Sequence, residues 1–382
     1  MLFAYVNSAK RARPARPQCR DHHRRAHTAA LPAWTKLTVF ASCVVLFIAP
    51  ALRAQSQAQD SATASPIPVF TISSGFITTF EGGTPHLGPL ISPLLLVPIG
   101  QNWLIETRGT IEADLSPPPG GSGFKGVVEK NVDYLQLDYI ANRYVTVSAG
   151  RYLVPFGIYN ERLYPIWIRN LQTDPLILPI GASEYGAGTG AMLRGGFDAA
   201  PGLEVNYAAY FSAHSGVSHM ESDRSVGGRA GIFLPGPRLE FGGSFQHLLQ
   251  ESRTNAFGLH FEWQPSPIPL DIRAEYARSH DGGGYWIESA YRLSQAPKWR
   301  NRLRNVQAVA RMQQFFAGLG ESDVLPGADT NAFEFGLNYY FRDDIRFVSS
   351  YGRQFSAQGN GNIWTLGLTA RLALPLGHGG SK

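Results

Sequence analysis

The sequence predicts an all-β protein, a transmembrane antiparallel β-barrel of about 16 strands that follows an N-terminal signal peptide. Three observations lead to this prediction. After residue 67, apolar and polar residues alternate over segments of 9 to 13 residues. Tilted membrane strands need about 9–11 residues, whereas strands of soluble proteins cluster at about 5–6. Aromatic residues also gather near the strand ends, as they do at the two interfaces of a membrane barrel.

The composition narrows the function classes. Charged residues make up 16% of the chain, against about 25% in an ordinary soluble protein. The first 54 residues hold nine Lys or Arg and one acidic residue, and the remaining chain has 25 basic and 28 acidic residues. The high isoelectric point therefore reflects the N-terminus, and we expect no nucleic-acid partner.

The first element is a leader, residues 1–54. An uncharged apolar run at 37–52 is preceded by basic residues and followed by small ones, the order found in a secretory signal peptide. A membrane anchor is the alternative, although spanning a bilayer takes about 20 apolar residues. Both cysteines, Cys19 and Cys43, fall in this leader, so the remaining chain offers no disulfide and no cysteine-based zinc site. Residues 55–67 are expected to form a flexible linker.

The barrel is predicted over residues 68–376. Its strands show a strict two-residue period, in which Phe333, Phe335 and Leu337 alternate with polar or small residues. The same pattern along the chain places sixteen strands near residues 68–80, 88–98, 103–115, 127–140, 144–152, 187–197, 203–212, 226–234, 238–249, 254–263, 270–279, 285–294, 306–315, 331–341, 345–355 and 362–374.

The connections between these strands predict an orientation. Those after even-numbered strands are mostly short and rich in turn residues, and those after odd-numbered strands are generally longer. Because outer-membrane barrels have short periplasmic turns and longer outer loops, both termini are expected in the periplasm. The strand at 88–98 is the weakest of the sixteen, since Pro89, Pro93 and Pro98 each lack a donor for the hydrogen-bond ladder.

The third outer loop, residues 153–186, is the longest gap between predicted strands. Its apolar and aromatic content argues against disorder, and long loops in compact folds usually have a function. We expect it to fold into the barrel and narrow the lumen, with packing over the outer rim as the alternative. The candidates for this constriction are Glu161, Arg162, Trp167, Arg169 and Asp174.

Charged residues on the polar strand faces are predicted to line the lumen. Arginines there could bind anions, because the guanidinium group pairs well with phosphate and carboxylate. Acidic residues on the same faces nearly balance them, so a wall stiffened by ion pairs is the alternative. The predicted lumen-facing charges are Glu106, Arg108, Arg151, Arg194, Arg273, Arg292, Arg311, Arg346 and Arg371.

Two segments resemble a known family. The stretch from Gly150 to Gly157, which reads GRYLVPFG, and the stretch from Gly190 to Gly195 are similar to consecutive segments of the phosphate-selective porin O/P family. The resemblance implies a sixteen-strand, homotrimeric outer-membrane channel. Two features of the family are missing: the chain after residue 54 contains only four lysines, and it does not end on an aromatic strand residue.

These observations together predict a porin of the bacterial outer membrane. Small hydrophilic solutes or ions, anionic ones among them, would diffuse passively through a water-filled lumen. The expected surroundings are the lipid bilayer and lipopolysaccharide, and no cofactor, metal or enzymatic activity is expected. The alternatives are an adhesin or structural anchor and, more remotely, a barrel lipase using His214, Ser215 and His219, which lack a recognisable partner motif.

Overall fold

A computed structural model describes residues 67–376 except 119–120, 122, 183–185, 251–252, 296–302, 321 and 323. It forms a closed antiparallel β-barrel of sixteen strands, in which each strand pairs with the next and the last pairs with the first. The predicted fold class is thereby confirmed. The predicted leader, and the linker apart from residue 67, lie outside the described residues.

The strands lie close to their predicted positions. They are β1 (Val69–Glu81), β2 (Thr84–Ile99), β3 (Trp103–Ser116), β4 (Lys125–Asn142), β5 (Val145–Leu153), β6 (Ala187–Ala200), β7 (Leu203–Ala213), β8 (Ser225–Leu234), β9 (Leu239–Leu248), β10 (Asn255–Trp263), β11 (Leu270–Arg278), β12 (Gly282–Arg292), β13 (Val306–Ala317), β14 (Thr330–Arg342), β15 (Ile345–Ser356) and β16 (Gly361–Pro375).

The barrel wall reverses the burial pattern of a soluble protein. On β14, the side chains of Phe333, Phe335 and Leu337 are exposed on the outer face, whereas Glu334 and Asn338 on the inner face are buried. An apolar exterior and a polar interior are the arrangement that a lipid environment requires. The two-residue period of the sequence therefore describes a wall with lipid on one side and a polar interior on the other.

Strand β2 forms in spite of its prolines. It pairs with β1 without interruption from Thr84 to Leu96. Its pairing with β3 is broken at Pro89 and Pro93, where no partner occurs on β3. This fits the chemistry of proline, which has no N–H to donate to a ladder. The sixteen-strand parity is preserved because one intact neighbour is enough to hold β2 in the sheet.

The connections differ between the two ends of the barrel. At the end where β1 begins and β16 finishes, connections such as 100–102, 143–144 and 343–344 are tight turns. The opposite end carries the longest described connection, which leaves β5 after Leu153 and contains one helical turn at Tyr159–Arg162. Among the described residues, no helix is both long enough and apolar enough to cross a membrane.

Candidate functional site in the barrel lumen

The long loop, residues 153–186, turns into the barrel at its first few residues. Phe156 is 2% exposed and packs against the inner side of Gly258 on β10. Gly157 adopts a positive φ of 62°, its N–H donates to Ser244 Oγ at 3.0 Å, and its carbonyl accepts from Arg229 at 2.9 Å. The proline–phenylalanine–glycine end of the GRYLVPFG segment thus anchors the loop to β8, β9 and β10.

A buried carboxylate extends this anchor. Glu275 on β11 accepts hydrogen bonds from the backbone N–H groups of Ile158 and Tyr159, at 3.1 and 3.2 Å. A Cβ atom added to Gly157 would stand only 1.9 Å from Glu275 Oε1. Only glycine therefore combines the left-handed backbone with the close approach of this carboxylate.

An apolar cluster holds the loop against one side of the wall. Trp286 and Phe315, on β12 and β13, are almost fully buried beneath it. The ring of Tyr159 meets the ring of Trp286 edge to face, with centroids 5.9 Å apart. The loop contributes to this cluster the buried residues Val154, Phe156, Ile158, Tyr159, Leu163, Ile177 and Ile180.

Ion pairs join the loop to the strands on the same side. Arg162 forms a two-pronged pair with Glu240 on β9, at 2.6 and 2.8 Å, and reaches Glu262 on β10 at 3.4 Å. The neighbouring Glu161 pairs with Arg229 at 2.9 Å and with Arg194 at 3.2 Å. Charge-assisted contacts of this kind fix orientation as well as position.

Further polar contacts reach β12, β13 and β14. Asn170 donates to Glu288 at 2.9 Å and, through its carbonyl, accepts from Asn338 at 2.9 Å. Arg311 donates to the Thr173 carbonyl at 2.8 Å and pairs with Glu334 at 2.8 Å. The middle of the loop is therefore tied to wall carboxylates that are themselves buried.

The tip of the loop reaches β1, β15 and β16. Trp167 contacts two arginines, with the guanidinium carbons of Arg346 and Arg371 at 5.1 and 5.3 Å from its ring. Ile166 approaches Gly75 on β1, where a Cβ atom would stand 2.8 Å from Ile166 Cδ1. Arg346 also donates to the Ile166 carbonyl at 2.9 Å.

Tyr164 carries the contacts to the opposite flank, β3 and β4. Its hydroxyl donates to Asp133 Oδ1 at 2.8 Å, and the Arg108 guanidinium lies 5.4 Å from its ring. Burial, reinforced by the Asp133 carboxylate, raises the pKa of the Tyr164 hydroxyl, so this group stays a proton donor. With contacts from β3 and β4 round to β16, the long loop crosses the barrel interior.

The five predicted constriction residues all lie in this loop, and each contacts a residue of the wall or of the loop itself. None of the five forms an ion pair with Glu106 or Arg108, two of the predicted lumen-facing charges. The structure instead places Arg162 against Glu240 and Trp167 beside Arg346 and Arg371. Arg169 pairs with Asp174 of the same loop, at 2.8 Å.

Most of the predicted lumen-facing charges point inward, and several are paired. Arg273 pairs with Asp271 at 2.7 Å, and Arg311 lies between Glu288 and Glu334. Glu106 lies beside Gln136 on the inner face. Among the described residues, three inward arginines have no carboxylate in ion-pair contact, namely Arg292, Arg346 and Arg371.

Arg151 is the exception to the predicted lining. It is paired in register with Leu135, which is exposed on the outer face, so its side chain starts on the outer side of β5. The guanidinium is buried there and donates to the carbonyls of Val132 and Glu221, at 2.6 and 2.7 Å. The connection between β7 and β8 covers this arginine, which explains how a charge is accommodated on that face.

The loop also docks through uncharged residues that charge and strand periodicity do not identify. They are Phe156, Tyr164, Asn170 and Thr173, each of which contacts the wall. The excess of apolar side chains in a nominal loop was the signal that could have found them, since such residues require a packing partner.

The residues considered for a lipase show no catalytic arrangement. Ser215 Oγ accepts a hydrogen bond from the Val217 N–H at 3.4 Å, and within the described residues neither His214 nor His219 bonds to it. No described group of three or more His, Asp, Glu or Cys could hold a metal ion.

The fold is that of solved outer-membrane porins. The chain is similar to OmpF of Salmonella typhi, determined in complex with daunomycin, with a TM-score of 0.55, 11% identity, and coverage of 80% of this chain and 97% of that one. It is also similar to OprB of Pseudomonas putida (0.51, 8%, 80% and 92%) and to an anion-selective porin from Comamonas acidovorans (0.50, 10%, 81% and 100%). No family model and no curated protein matches the sequence.

Proposed function

We propose that this protein is an outer-membrane porin through which small hydrophilic solutes diffuse passively, and that it is not an enzyme. The observation that carries the proposal is the closed sixteen-strand wall, apolar outside and charged inside, with a loop docked across its interior. Solutes pass through a water-filled lumen of fixed width and charge without any chemical reaction. The predicted orientation, with both termini in the periplasm, belongs to this proposal, as does removal of residues 1–54.

The long loop is the proposed constriction. A loop that contacts strands on opposite flanks of the barrel leaves a narrower passage than the wall alone. Glu161, Arg162, Trp167, Arg169 and Asp174 are the proposed constriction residues, held by the wall contacts described above. Because buried apolar groups and ion pairs both anchor it, we propose a fixed constriction rather than a mobile lid.

We further propose that the channel prefers anions. Arg292, Arg346 and Arg371 are inward-facing and lie beside aromatic rings rather than carboxylates. Arg371 is the most exposed of the three and so is available to a passing solute. The resemblance to the phosphate-selective porin O/P family supports this preference and a homotrimeric assembly, although the solute need not be phosphate.

Planar-bilayer recording of the purified protein tests the proposal. We expect stepwise conductance and a reversal potential that favours anions across a salt gradient. A variant lacking Ile158–Leu178 should conduct more, because the loop no longer narrows the lumen. Absence of conductance from a correctly folded barrel would reject the channel, and would favour an adhesin or anchor. Unchanged conductance in the deletion variant would place the constriction elsewhere.

A further inference from the structure

The outer face of the barrel carries an apolar groove between β8 and β11. The groove has a volume of about 710 Å³, within the range of about 300–1,000 Å³ that ligand sites occupy. Its bulky lining side chains are the outward-facing Phe245, Phe257, Leu259 and Tyr276. It is therefore a depression in the lipid-facing surface and is separate from the lumen.

Small residues create the depression. Gly228 and Ala230 on β8 and Gly243 on β9 lie in the groove, where larger side chains would otherwise form a level surface. The rings of Phe245 and Phe257 stand beside it with centroids 5.1 Å apart. An extended hydrocarbon chain fits such a site, since the lining is almost wholly apolar and the flanking rings are rigid.

Basic residues lie at one end of this groove, on the same outer face. Arg278 is paired in register with Phe257, and His247 lies two residues beyond Phe245. Arg224 immediately precedes β8 and is exposed. Among the described residues, neither Arg224 nor Arg278 forms an ion pair. This end is the one opposite the chain termini, and the proposed orientation therefore places it at the outer leaflet.

We propose that this groove binds one outer-leaflet lipid with a phosphorylated headgroup. An acyl chain lies between Phe245, Phe257 and Leu259, and separate phosphates of the headgroup contact Arg278 and Arg224. Guanidinium pairs with phosphate through parallel hydrogen bonds, and a cationic cluster beside a membrane attracts anionic headgroups. The membrane location rests on the proposed function, but the site does not depend on conductance.

Removing the two halves of the site tests the proposal. The delipidated protein in detergent is titrated with diphosphorylated lipid A, and bound lipid is counted by native mass spectrometry. We expect one tightly bound lipid. The double change Arg224→Gln with Arg278→Gln should weaken binding roughly thirtyfold, at about 1 kcal/mol for each charge. Ala230→Phe, which fills the groove, should also abolish the tight binding.

Two matched variants serve as controls. Arg353→Gln removes an outward arginine above Phe355 on β15, and Ala310→Phe enlarges an outward alanine on β13. Both should bind lipid A like the unmodified protein. Equal binding by all variants, or equally tight binding of an uncharged diacylglycerol, would overturn the proposal. So would loss of oligomers in Ala230→Phe with unchanged lipid binding, which would assign the groove to a second copy of the chain.

The same variants separate this proposal from the channel. Planar-bilayer conductance of Ala230→Phe and of the double arginine variant should match that of the unmodified protein. Lipid binding without any conductance would reject the proposed channel and retain the lipid site. Conductance without selective lipid binding would reject the lipid site and retain the proposed channel.

Discussion

The contact between Gly157 and Glu275 shows how one residue can control the position of the long loop. The carboxylate accepts two backbone N–H groups of the loop, and the absence of a side chain at Gly157 lets it approach. Leaving a buried hydrogen-bond donor or acceptor without a partner lowers the free energy of unfolding by about 1–3 kcal/mol. The docked loop therefore depends on a residue pair more than 100 positions apart in the sequence.

We expect Gly157→Ala to loosen the loop. Alanine at a φ of 62° is strained, and its Cβ would collide with Glu275. Single-channel current should become noisier and larger, while the barrel itself stays folded. Glu275→Ala should act similarly because it leaves two N–H groups unpaired, whereas Glu275→Gln retains an acceptor oxygen and should behave nearly normally. Quiet, unchanged currents in both alanine variants would show that this anchor is dispensable.

The inward arginines yield a prediction about ion preference. Arg371 is exposed and contacts Trp167 without a carboxylate partner among the described residues, so Arg371→Gln removes positive charge from the lumen with little structural cost. The reversal potential should move toward cations. Arg353→Gln, on the outer face of β15, is the control and should leave the potential unchanged. Identical potentials for the two variants would rule out Arg371 as a selectivity residue.

Arg151 illustrates what strand periodicity can and cannot tell. Val145, Val147 and Ala149 already mark the outer face of β5, and the same count places Arg151 with them. The charge of Arg151 was the reason to predict a position in the lumen. What hides the guanidinium is Glu221, in a connection 70 residues further along the chain, and no local pattern reveals that contact.

At the scale of single elements, β6 offers a direct test of the wall. Leu193 and Arg194 are neighbours near its middle, and both are well exposed, the leucine outward and the arginine inward. Leu193→Arg should lower the free energy of unfolding by about 2–4 kcal/mol, the cost of a lipid-facing charge near the bilayer midplane. Arg194→Leu should cost much less, because it gives up only a partly exposed ion pair with Glu161. Urea unfolding in lipid vesicles measures both, and equal losses would contradict a lipid-facing outer surface.

The strands could be predicted from the sequence because each is specified locally. Alternation and turn residues fixed sixteen elements within a few positions, including β2 with its prolines, which a single intact neighbour ladder accommodates. The partners of the long loop could not be predicted in the same way. Its composition indicated burial, but the partners Glu240, Glu275 and Glu334 lie 78 to 161 residues away along the chain. Only closure of the barrel brings them together.

At the scale of the whole molecule, charge and hydrophobicity are distributed in separate regions. Apolar residues cover the outside, charged residues fill the inside, and the first 54 residues hold nine of the 34 Lys and Arg residues. A barrel with an apolar exterior must reach a membrane before it aggregates. We propose that the basic and apolar leader predicted at residues 1–54 is the export signal that such a wall requires.

We therefore expect the protein in the outer membrane to lack its N-terminal leader. Cleavage should follow Ala51 or Ala54, where small residues succeed the apolar run at 37–52. Intact-mass measurement of the envelope protein gives the new N-terminus directly. Leu46→Arg places a charge in the middle of that run, at a cost of about 2.5–3.5 kcal/mol for membrane insertion. This variant should keep its leader and remain in the cytoplasm. An envelope protein that retains residues 1–54 would instead indicate that the apolar run is a membrane anchor.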